Sequence, residues 1–193
     1  MKQKDLIQQL LNDCTVVLNF TKNTLTSEHR LLLHKKPNEK AWNIFEILEH
    51  LNLYFNYYNI EIEKLINNPK TKLSTVDAEF VSGWLGNYFT KSMMPGEKKM
   101  ISNKMQAPKA FNPLTYRANE NALIDFENNL NTFIALIQKS NTLSWSKNRI
   151  PISISKFITL KLGDVFRFNT AHILRHFTQI ETTLHTLKTM NGK

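Results

Sequence analysis

Cysteine is almost absent from this chain: its 193 residues contain one, Cys14, so no internal disulfide can form. A disulfide-stapled scaffold is thereby excluded, and a reducing compartment, the cytoplasm, is the expectation. The lone thiol is read as a small buried hydrophobe on a helix, not as a nucleophile. Glycine and proline are also scarce, at 5 and 6 residues. So few turn residues leave little means of making the repeated tight reversals of a β-sandwich or barrel, and long uninterrupted helices are expected instead. No apolar run reaches the roughly 20 residues of a membrane-spanning helix, and the polar opening Met1-Lys2-Gln3-Lys4-Asp5 lacks the apolar stretch of a signal peptide. A soluble protein with no membrane partner is expected. Also missing is any basic helix. Lys and Arg number 25 against 16 Asp and Glu, for a formal net charge of +9, but they are scattered along the chain. That dispersal argues against a nucleic-acid partner.

What is present is helical periodicity in four segments, within a length that fits a single domain spanning 1–193. Leu6, Leu10, Leu11, Cys14, Val17 and Leu18 recur at three- and four-residue steps and predict a first helix from 3 to about 33, with Thr24 to Ser27 as its weak point. The second starts at Asn43, where Asn43 and Glu46 form a capping box and Trp42 and Ile47 a hydrophobic staple, and stops at Asn67-Asn68-Pro69. A third runs from about Asn119 to Lys139 and a fourth from about Leu160 to Met190. Between the second and third, residues 70 to 117 hold no sustained helical period. Their aromatic and methionine residues predict a cover packed on the helices with short helical turns. The segment from Trp145 to Ile158 reads as extended, with Pro151 confining it to an edge or a coil, and is expected to lie as a second covering loop. The expected fold class is all-α, a four-helix bundle whose long connection between the second and third helices allows up-down-down-up order.

Two histidines, His172 and His176, stand one turn apart on the inner face of the fourth helix, close enough to share a metal ion. His50 lies on the margin of the second helix's apolar face, with Glu46 one turn before it. Taken alone, the pair reads equally well as ligands or as structural residues. Two neutral imidazoles buried side by side need partners, however, and a shared metal satisfies both. His29, His34 and His185 are expected to be exposed. Between 91 and 117, Lys91, Lys98, Lys99, Lys104, Lys109 and Arg117 face the single acid Glu97, which reads either as a solvated surface or as a rim that attracts an anion.

The pattern Trp42-Asn43-x-x-Glu46-x-x-x-His50-Leu51, then a long loop with Pro95 and Ala107-Pro108-Lys109, then His172-x-x-x-His176-x-x-Gln179, resembles the DinB-like (YfiT-like) superfamily across nearly the whole chain. The resemblance implies an up-down-down-up bundle with a divalent metal, zinc or nickel, on His50, His172 and His176. It also implies thiol-dependent transfer as one known activity, with a low-molecular-weight thiol as cofactor, although no residue here identifies that thiol. Glu46 and Gln179 are candidates for orienting the ligands or moving a proton. Two functional readings stand. One is a metal-dependent thiol transferase or hydrolase acting on a small, anionic or thiol-conjugated substrate. The other is a non-catalytic, metal-stabilised bundle serving as an interaction or anion-binding module. A homodimer is left open. From the reference imidazole pKa of about 6.5, metal binding is expected to weaken below about pH 6.

Overall fold

The computed structural model describes residues 1–25, 30–75, 78–95, 106–115 and 119–191, with the side chains of residues 30, 31 and 191 excepted. The elements are, in order, α1 (Gln3–Thr24), α2 (Arg30–Leu33), α3 (Ile44–Ile66), α4 (Trp84–Met93), α5 (Ala122–Lys139), β1 (Arg149–Ile152), β2 (Ser155–Lys161) and α6 (Leu162–Asn191). The chain is thus mostly helical, as expected of an all-α class, with one small antiparallel hairpin added. Among the described residues no helix is long and apolar enough to cross a membrane.

Each long helix buries a stripe set by its sequence period. On α1 it is Leu6, Leu10, Cys14, Val17 and Thr21, and on α5 it is Ala122, Phe126, Leu130, Phe133 and Ile137. Helix α3 packs on α5 and α6, and α1 on the same two partners. Between them sits an aromatic core in which Phe133 meets Phe55 at 5.5 Å and Phe166 at 5.6 Å between ring centroids, and Phe166 meets Trp145 at 4.7 Å. Burying one such side chain contributes about 1.5–3 kcal/mol. Cys14 belongs to this interior, with its sulfur 3.8 Å from Thr170 Oγ1, and burial pushes its thiol up to about 12. It is inert packing.

Besides the first helix, which ends at Thr24 with α2 separate at Arg30–Leu33 instead of running to about residue 33, two segments differ from the sequence expectation. Within the long connection, residues 84–93 form a real helix, α4, lying against α6. Gly83 and Gly86 look like breakers, but Gly86 serves close approach: a Cβ there would collide with the Asp164 side chain. Asp164, buried at the start of α6, accepts from Ser82 Oγ and from the Gly83 amide at 2.9 Å, tying down the first turn of α4. The second difference is the stretch after Trp145, which pairs as the β1–β2 hairpin instead of lying as a loop, so that Leu160 belongs to β2 and α6 begins at Leu162. Pro151 fits because, in a two-stranded sheet, both strands are edges.

Candidate metal centre

The cap of α3 fixes where His50 points. Asn43 Oδ1 accepts from the Glu46 amide at 2.8 Å, while Glu46 Oε2 accepts from the Asn43 amide at 2.9 Å. Glu46 also pairs with Lys36 at 3.0 Å, so its carboxylate is committed to the cap and the preceding loop. Two turns into the helix, His50 faces His172 and His176 of α6. All three are buried, at 3%, 3% and 7% exposure.

Their Nε2 atoms converge. His172 Nε2 lies 3.1 Å from His50 Nε2 and 3.0 Å from His176 Nε2, and the possible ligand atoms of the three fall within 4.8 Å of one another. The far nitrogens decide the protonation. His50 Nδ1 is 2.6 Å from the Phe111 carbonyl, and His176 Nδ1 is 2.9 Å from Gln179 Oε1. A carbonyl oxygen can only accept, so each of these Nδ1 atoms carries the proton and each Nε2 presents a lone pair. Both lone pairs point at His172 Nε2. A single N–H there could satisfy one of them well, whereas a cation satisfies all three nitrogens together. These three buried histidines could therefore hold a metal ion.

Electrostatics keeps the set in its ligating form. Burial pushes His50 down to about 4 and His176 down to about 3, while His172 falls well below its ordinary value, with His176, His50 and Arg175 adding to the effect of burial. All three are neutral at pH 7. For the metal-free rings, protonation is thus displaced below the range of free imidazole, the reference for the expected weakening of metal binding below about pH 6.

A cleft of about 430 Å³ opens beside the imidazoles. Trp42 forms one wall, its ring 5.0 Å from that of His50 and 6.3 Å from that of His176. Tyr54 forms another, 4.5 Å from the His172 ring and 4.4 Å from Phe111. From the long connection come Met93, Gln106, Ala107 and Pro108. The connection thus walls the cleft and supplies the carbonyl that orients His50. Its exposed Lys91 and Lys109 do not line the cleft, and Lys98, Lys99, Lys104 and Arg117 lie outside the described residues. Among the described residues, the cations lining the cleft are Lys40 and Arg175.

Of the residues singled out by sequence, the fold brings His50, His172, His176 and Gln179 together and sends Glu46 to the helix cap. His185 and His34 are exposed, His34 stacking on Phe45 at 4.2 Å, and His29 lies outside the described residues. Sequence reasoning missed the Phe111 carbonyl, which has no side-chain signature. It also missed Arg175, whose position three residues after His172 on the same helix was a usable signal. No family model matches the chain, no curated protein matches its sequence, and no solved structure matches its fold.

Proposed function

We propose that this chain is a metal-dependent enzyme of the DinB-like type, in which α1, α3, α5 and α6 form an up-down-down-up four-helix bundle and His50, His172 and His176 bind zinc or nickel. The observation that carries this reading is the triangle of Nε2 atoms at 3.0 and 3.1 Å, two of them held as lone-pair donors by carbonyl acceptors behind the rings. A purely structural cluster would gain little from aiming two lone pairs at one nitrogen that can donate a single proton. When bound, a divalent ion on three imidazoles supplies Lewis acidity and open coordination positions, lowering the pKa of a thiol or water at neutral pH.

The chain's own residues do the rest. Phe111 and Gln179 hold two rings in orientation, so little reorganisation accompanies loading. Trp42, Tyr54 and Pro108 give the cleft an apolar wall that limits water around a bound substrate. Burial raises the Tyr54 hydroxyl above its ordinary pKa, so at neutral pH it is a hydrogen-bond donor and not a base. Thiol-dependent transfer and hydrolysis are the reactions that fit this equipment, and the single buried thiol suits a reducing cytoplasm.

Metal analysis of protein purified without a histidine tag, followed by turnover assays with low-molecular-weight thiols, tests the reading. One divalent ion per chain, lost with His172→Ala, together with turnover, is the expected result. Tight metal binding with no turnover in thiol-transfer and hydrolysis assays would favour a metal-stabilised binding module, and no metal at all would overturn both.

A further inference from the structure

We infer that the cleft is built for a small carboxylate-bearing ligand with an apolar body, whose anionic end is held by Arg175 and Lys40 while its other end reaches the three imidazoles. The inference rests on the metal reading for the second half of that statement only. Three observations lead to it. First, Arg175 is 7% exposed and yet lines the cleft, projecting from the same turn of α6 as His172 and His176. Burying a guanidinium is costly unless an anion or several acceptors meet it. Its five N–H donors in a planar fork let it hold one partner within the fold and still present an edge to a ligand, and that fork matches a carboxylate.

Second, the lining is one-sided in charge. Lys40 and Arg175 contribute to it, and among the described residues no Asp or Glu does. Of the acids just before His50 on that helix, Glu46 is already occupied by Lys36 and the Asn43 amide, and Glu49 accepts from Asn119 at 3.3 Å. With neutral imidazoles, the field of the empty cleft is positive, and a divalent ion would make it more so. Third, the remaining wall of Trp42, Tyr54, Met93 and Pro108 is largely apolar. Few polar groups on an apolar wall, in a cavity of this size, describe a site for a small organic molecule instead of an inorganic anion.

The test is a ligand-observed NMR screen of matched pairs, each an aryl- or alkyl-carboxylic acid and its primary amide, against metal-loaded and metal-free protein, with affinities of the hits measured by calorimetry. The expected result is that acids bind and their amides bind about tenfold more weakly or not at all, as loss of a charge-assisted bidentate contact requires. Arg175→Gln should erase the acid preference, Arg175→Lys should restore part of it, and the exposed Lys40→Gln should reduce it without touching the fold. Amides binding as well as acids, no acid binding, or an acid preference that survives Arg175→Gln in a folded protein would each overturn the inference. The metal reading is judged separately. Hits that are equal for acid and amide but vanish on metal removal would sink the carboxylate proposal and leave the metal centre standing. An Arg175-dependent acid preference that is the same with and without metal would keep the carboxylate site and overturn the claim that the ligand's other end reaches an ion on the imidazoles.

Discussion

Two buried polar networks in this protein have opposite character. At the start of α1, Gln3 donates to the Leu143 carbonyl at 2.9 Å and accepts from the Trp145 amide at 3.1 Å. Trp145 Nε1 donates to the Ser140 carbonyl at 3.1 Å, and Ser140 Oγ passes its own proton to the Ile137 carbonyl at 2.9 Å. Asn148 completes the cluster, donating to Lys72 O at 2.7 Å while accepting from the Lys72 amide at 3.0 Å. Every donor there meets an acceptor. In the histidine cluster, two lone pairs converge on the one nitrogen His172 Nε2, which can donate a single proton between them, and the space beside them is open. Complete pairing is what a fold needs for stability, so an orderly, buried and incomplete set points to something that arrives from outside.

The comparison can be broken at either end. Trp145→Ala should produce the largest change, a loss of about 3–5 kcal/mol in denaturant titrations, with metal stoichiometry unchanged in the molecules that remain folded. Next, His172→Ala should lower metal affinity more than about 100-fold, since even a residue behind a ligand is worth 10- to 100-fold. The unfolding midpoint of the metal-free protein should not fall. If this variant destabilises the apo protein as Trp145→Ala does, the two networks are alike and the distinction fails.

Acid should discriminate between them as well. Above about pH 6.5 the histidines are neutral in folded and unfolded chains alike, and the metal-free protein has its full stability. As pH falls below that, the unfolded chain takes up protons that His50 refuses until about 4 and His176 until about 3. Stability should therefore drop, by up to about 1.4 kcal/mol per pH unit for each histidine, and thermal melts of wild type and His176→Ala between pH 7 and 4 would measure the difference. A smaller effect is expected from Gln179→Leu, which frees the His176 ring and should weaken metal binding about tenfold by calorimetry. Smallest of all, His185→Ala on the exposed face should stay within about 0.5 kcal/mol and leave metal binding untouched.

What could be read beforehand follows from how local each signal is. The helix stripes, the Asn43–Glu46 box and the His172–His176 spacing are encoded within a few residues, and they appear where the periodicity put them. The α4 helix was hidden because Gly86 satisfies a contact with Asp164 nearly eighty residues away, a reason that no local rule contains. The hairpin was half visible: alternation marked β1, but the partner strand Ser155–Lys161 borders a helix whose own apolar period reaches back into it. For the site, spacing nominated the imidazoles, while the side of the ring that carries the proton depended on acceptors that only the fold supplies.

One of those acceptors has a consequence for the long connection. His50 is oriented by the main chain at Phe111, at the end of the short turn Lys109–Phe111, and not by any side chain of that segment. The hydrogen bond itself asks only for the path of the backbone at residue 111, while the buried Phe111 ring packs on Tyr54 and helps hold that path in place. Ordering of this turn and occupancy of the imidazoles then become two faces of one equilibrium, each favouring the other by the same factor. If the imidazoles take up an ion, loading should slow amide exchange across residues 106–115 as much as docking of that turn strengthens the hold on it.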